Sequence, residues 1–80
     1  MNQSVSKNIV GREVARIRTE RGLSQAALAA MAQRAEWDIS RETVAKIESG
    51  FRCVSDIEVT FLAKVFKVPV SDLFPAELHN

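Results

Sequence analysis

The chain has 80 residues, eleven Lys or Arg against ten Asp or Glu, and 46% apolar residues. That is one domain's worth of sequence with an ordinary globular balance, and it holds no apolar run long enough to cross a bilayer. A single cysteine, Cys53, and a single histidine, His79, exclude a disulfide framework and a cysteine- or histidine-based metal site, so neither a metal nor a cofactor is expected. No nucleophile–base pair or phosphate loop is present, and the chain does not read as an enzyme. With no signal-peptide core at the N-terminus, a cytoplasmic, nucleoid-associated location is expected.

Residues 1–7 are polar and read as a flexible arm. A helix is expected from Asn8, where Val10, Val14, Ile17 and Arg21 recur at helical spacing and Gly22 supplies the C-terminal stop. Arg18 lies beside the apolar stripe, where a charge needs a partner. Ser24 caps a second helix, Gln25 to about Ala35, whose Leu28, Ala29 and Ala32 share one face. The next segment, 35–39, is too apolar for a solvated loop. Trp37, Ile39 or both are expected to fold onto the core, the alternative being that Trp37 is an exposed partner contact.

Ser40 to Gly50 is the stretch that matters most. Ser40 is a capping residue and Gly50 can adopt the left-handed stop. Between them Val44 and Ile47 form an apolar face with Ala45 and Glu48 at its margin, while Arg41, Glu42 and Lys46 share the opposite face. A helix anchored on one side and chemically varied on the other suits a DNA major groove. Cys53, in the following link, is expected to be a small half-buried residue.

Ser55 and Glu58 form a capping box for a fourth helix with a broad face of Ile57, Phe61, Leu62, Val65 and Phe66, expected to be the most buried element. Val68-Pro69 ends it, and Ser71–Phe74 forms a short capped turn holding Leu73 and Phe74 to the core before Pro75. The fold class is all-α: four helices and a short fifth over residues 8–74, with a C-terminal tail at 75–80. Charge is uneven. Residues 1–52 carry nine Lys or Arg against six Asp or Glu, net +3, and residues 53–80 carry two against four, net −2. The basic excess lies with the candidate reading helix.

Two helices in close succession, the second exposing a polar face, make a helix-turn-helix. Gly22-Leu-Ser-Gln25, Leu28-Ala29, Thr43-Val44, Ile47-Glu48-Ser49-Gly50 and Val68-Pro-Val-Ser-Asp-Leu-Phe74 resemble the Cro/C1-type helix-turn-helix family, over nearly the whole chain. The resemblance implies a compact five-helix, lambda-repressor-like domain that binds double-stranded DNA. It implies base contacts from Arg41, Glu42 and Lys46, and backbone contacts from Ser24, Gln25, Ser40, Thr43, Ser49 and Arg52. Gln25 would also brace a reading side chain. Arg18 and Glu48 match a structural ion pair. In one respect the sequence departs from the pattern: the spacing from Leu28-Ala29 to Ile47-Glu48 is longer by about five residues, so either the turn is extended or the second helix gains a turn.

The expected function is a sequence-specific transcriptional regulator, a repressor acting as a homodimer on a palindromic operator. Candidate dimer contacts are Phe51, Val54, Val70 and Leu78, with Phe74 reading more as core. The alternative is an antitoxin or adaptor of the same fold acting through a protein partner, which the near-neutral net charge and Trp37 favour.

Overall fold

In the computed structural model the described residues are 6–78, the side chain of Leu78 excepted. Most of the expected N-terminal arm, His79 and the proposed Leu78 dimer contact therefore lie outside what is described. Four α-helices, α1 (Gly11–Glu20), α2 (Gln25–Arg34), α3 (Arg41–Glu48) and α4 (Asp56–Phe66), are followed by 3-10 turns at Val70–Leu73 and Ala76–Leu78. The second of these turns occupies part of the segment expected to be a plain tail. Among the described residues there is no strand, and no helix is long and apolar enough to cross a membrane.

Local chemistry explains each helix start. Ser24, Ser40 and Ser55 are the N-caps of α2, α3 and α4, and each hydroxyl accepts from the amide three residues on. At α4 the box closes, because Glu58 also accepts from the Ser55 amide. The first helix is different. Asn8 is not its first residue; α1 starts at Gly11, and the Asn8 carboxamide oxygen accepts from the amides of Val10 and Gly11 at 3.1 and 2.7 Å. An asparagine that caps from outside fits its short polar side chain better than a place in the helix.

The helix ends follow one rule. After each, a residue turns left-handed, and its own amide and the next reach back to the last turn: Gly22 (φ 69°), Glu36 (φ 68°), Gly50 (φ 82°) and Lys67 (φ 58°). The amides of Leu23, Trp37, Phe51 and Val68 then bond to the carbonyls of Arg18, Ala32, Lys46 and Ala63, the pairing of a Schellman motif. Glycine takes this conformation freely. Glu36 and Lys67 hold it against steric strain.

The core is continuous. Val10, Val14 and Ile17 of the first segment meet Leu28, Ala29 and Ala32 of α2, Val44 and Ile47 of α3, and Val59, Leu62, Ala63, Val65 and Phe66 of α4, with Leu73 closing it. α3 packs against both α1 and α2, while α4 packs on α2 and the first 3-10 turn. As expected, α4 contributes the most buried residues, but in a different phase. Ile57 is 64% exposed, and Val59 and Ala63 face inward in its stead. Cys53 is likewise exposed rather than half-buried, since the link from α3 to α4 turns Arg52 and Val54 toward the protein and Cys53 away.

The long connection between α2 and α3 is now accounted for. α2 stops at Arg34, Glu36 reverses the chain, and Trp37 and Ile39 drop into the core. Trp37 is 8% exposed and stacks on Phe61 with ring centroids 5.5 Å apart. The Gln33 side chain donates to the Ile39 carbonyl at 2.7 Å, tying the segment to α2. An exposed partner contact at Trp37 is therefore ruled out by its burial. Truncating it, Trp37→Ala, should destabilise the fold by about 3 kcal/mol, measured by urea unfolding, because the cavity opens between α2 and α4. Glu36→Gly should instead stabilise by about 0.5–1 kcal/mol as left-handed strain is relieved, net of the added chain entropy.

Candidate nucleic-acid interface

α3, the second member of the helix pair, is buried on one face and free on the other. Val44 and Ile47 are buried against α1 and α2, Ala45 and Glu48 lie at the margin, and Arg41, Glu42 and Lys46 are exposed together. Its eight residues span about 12 Å, the width of a B-DNA major groove. Three donor or acceptor groups thus share one free face. Arg41 and Glu42 lie 3.5 Å apart at the first turn and remain well solvated. The Glu42 carboxyl is held below the usual carboxylate range, first by its own backbone N–H and then by the Arg41 charge. It is consequently an acceptor only at neutral pH.

The flanking hydroxyls are placed by the caps. Ser40 Oγ accepts from the Thr43 amide at 3.1 Å and lies 3.2 Å from the Thr43 hydroxyl. Ser49 Oγ donates to the Lys46 carbonyl at 3.2 Å, and Ser24 Oγ accepts from the Ala27 amide at 2.9 Å. Ser24, Ser40 and Ser49 are exposed and Thr43 half-buried.

Beneath this surface lies an ion pair. Arg18 Nε donates to Glu48 Oε2 at 2.6 Å and Arg18 Nη2 to Glu48 Oε1 at 3.0 Å. The third donor, Nη1, reaches the Leu23 carbonyl at 2.7 Å in the α1–α2 turn. Gln25 Nε2 donates to Glu48 Oε1 at 3.0 Å. With side chains 14% and 7% exposed, both charges are largely removed from water, and the bidentate geometry raises the Arg18 pKa further. The partner that Arg18 lacked in the sequence is thereby found.

Two of the expected backbone-contacting residues are bound to carboxylates of the chain itself. Gln25 braces Glu48, a member of the ion pair, rather than a side chain of the exposed face. Arg52 forms a bidentate pair with Glu58 at 2.9 and 2.8 Å, and also donates to the Cys53 carbonyl. That pair lowers the Glu58 pKa, and the Ser55 amide lowers it further. Of the expected dimer contacts, Phe51 is 72% exposed, Val70 is exposed and Val54 is half-buried. Asn8 has a larger part than the sequence indicated: its Nδ2 donates to the carbonyls of Ile47 and Arg52 at the end of α3. Asparagine's preference for capping was the available signal, but partners 39 and 44 residues away leave no local trace.

A buried two-helix unit with one solvent-facing, charged helix is a helix-turn-helix of the DNA-binding kind. A helix-turn-helix family model matches residues 14–73. The chain belongs to the Cro/C1-type helix-turn-helix family of DNA-binding transcription regulators. Among solved structures it is similar to the restriction-modification controller protein C.AhdI from Aeromonas hydrophila, at 31% identity and a TM-score of 0.70, over 81% of this chain and 87% of that one. It is also similar to the DNA-binding domain of BldD, at 29% identity and a TM-score of 0.69, over 94% of this chain and all of that one. The S. venezulae BldD DNA-binding domain matches at 28% identity and a TM-score of 0.71, over 90% of this chain and 100% of that one. No curated protein matches the sequence closely.

Glu48→Ala should cost about 3 kcal/mol by denaturant unfolding, because Arg18 would be left half-buried without its carboxylate. An unchanged midpoint would remove the pair from the account of stability. The second pair makes a pH prediction. A carboxylate whose folded pKa is lowered adds stability above its unfolded pKa and loses it as pH falls through the folded value. Glu58→Gln should therefore melt below the wild type at neutral pH, with the gap closing below about pH 4. A gap that stays constant with pH would contradict the assignment.

Proposed function

We propose that the protein is a sequence-specific, double-stranded DNA-binding repressor that places α3 in the major groove and binds a palindromic operator as a homodimer. The observation that carries this reading is the shared exposure of Arg41, Glu42 and Lys46 on a helix whose other face is locked into the core. Arg41 can donate bidentately to guanine O6 and N7, and the ionised Glu42 can accept from cytosine N4. Ser24, Ser40, Thr43 and Ser49 flank this face and can meet phosphate oxygens, which fixes register without reading sequence. Gln25 and Arg52 reach phosphate only if they share or release their present carboxylate partners.

The similarity to a controller protein and to two DNA-binding domains supports the reading. A dimer follows from arithmetic: one such module makes few base contacts, and two half-sites about 34 Å apart multiply the affinity. Phe51, Val54 and Val70 are the described residues proposed to make that contact, together with Leu78. The cytoplasmic nucleoid is the proposed location. The adaptor reading has lost one of its two supports, since Trp37 is packed inside rather than offered to a partner.

Selection from a randomised duplex library, followed by salt titration of the enriched site, tests the proposal. The expected result is a palindrome with half-centres about 10 base pairs apart and a steep negative salt slope. Absence of enrichment would favour the adaptor reading. On the enriched site Arg41→Ala should cost about 1–3 kcal/mol and relax one base position. Equal loss on every duplex would make Arg41 a phosphate contact.

A further inference from the structure

We propose that Asn8 is a positioning residue for the reading helix, setting the tilt of α3 and hence the specificity of base contact; this rests on the DNA-binding function proposed above. Its one carboxamide joins two helix ends. The oxygen starts α1 by accepting from Val10 and Gly11, and the nitrogen donates to Ile47 O at 3.1 Å and Arg52 O at 2.8 Å. Ile47 lies in the last turn of α3, and its carbonyl accepts from the Gly50 amide at 3.1 Å with its other lone pair open to the Asn8 donor.

The surroundings are built for this approach. A Cβ at Gly11 would collide with the Ile47 carbonyl oxygen and lie 3.1 Å from that of Glu48, so only glycine lets α1 begin directly against the end of α3. The Lys7 amide donates to the Gly50 carbonyl at 2.8 Å, and Ser6 occupies the space a Gly50 side chain would need. Residues 6–11 thus cross the C-terminal end of α3 and hold its backbone.

Geometry makes this a lever. The Arg18–Glu48 pair grips the same end of α3 through a side chain, and Asn8 grips it through the main chain. Loss of the Asn8 grip leaves α3 held by Glu48, by the Lys7–Gly50 bond and by the packing of Val44 and Ile47, so the helix stays docked while its tilt loosens. Arg41 stands six residues from Ile47, about 9 Å along the axis, so a tilt of about 10° shifts its backbone by about 1.5 Å. Bidentate base recognition tolerates about 0.5 Å. Phosphate contacts made through flexible side chains are more forgiving, so loss of the grip should fall on specificity before overall affinity.

The test compares the full chain with Asn8→Ser and Asn8→Asp, each below its melting temperature by circular dichroism. Serine or aspartate can still cap α1 by accepting from its amides, but serine is too short to reach the α3 carbonyls and the aspartate carboxylate cannot donate to them. Val65→Ala, a core truncation on α4, controls for lost stability. The readout is the ratio of Kd for a scrambled duplex to Kd for the library-selected site. Both Asn8 variants should lower this ratio by about tenfold, the share of one bidentate contact, with the scrambled-duplex affinity and salt slope unchanged. Val65→Ala should keep the wild-type ratio. An unchanged ratio in the Asn8 variants, or an equal fall in Val65→Ala, overturns the positioning role while leaving the DNA-binding function standing. A wild-type protein with no preferred site overturns both.

Discussion

Arg18 and Glu48 form the joint that sets how α1, α2 and α3 meet. Arg18 lies near the end of α1, Glu48 ends α3, Leu23 is in the turn between α1 and α2, and Gln25 opens α2. Four hydrogen bonds around two charges therefore tie three helices at one point. Desolvating the charges is costly, and the cost is offset only because the bidentate fork and its two neighbours leave each group well satisfied. Such an arrangement demands one geometry, whereas apolar packing alone tolerates several. It fixes which face of α3 turns inward, and so which face is free.

The helix caps and the core place that free face and keep it rigid. Serines begin three helices, and a left-handed residue ends all four, each followed by an apolar residue: Leu23, Trp37, Phe51 and Val68. Leu23 and Val68 pack against the core and Trp37 is part of it. Phe51, which follows α3, is instead left in water. Its ring is thereby free for the dimer contact proposed above.

Much of this was legible in the sequence because it is local. Helical spacing identified the buried faces of Val10, Val14 and Ile17, of Leu28, Ala29 and Ala32, and of Val44 and Ile47. Cap chemistry placed the starts at Ser24, Ser40 and Ser55. Phase failed on α4, where apolar residues from Ile57 to Phe66 cover more than half the circumference and periodicity no longer selects one side. Left-handed ends were visible as Gly22 and Gly50 but not as Glu36 and Lys67, since no side chain announces strain. The Arg52–Glu58 pair was hidden because Glu58 already had a role in its capping box, yet its capping oxygen had a second lone pair and its other oxygen was free, and Arg52 donates to both. Asn8 was read as helix because its partners on α3 lie far along the chain.

The proposed function rests on the same division between an anchored and a free face of α3. The most direct measurement is an amide and side-chain NMR titration of the protein with a duplex of about 20 base pairs at low salt. The account predicts that the largest shifts fall on Arg41, Glu42, Thr43 and Lys46 of α3 and on the start of α2 at Ser24. Shifts concentrated on α4 and the link at residues 51–55, with α3 unmoved, would contradict it.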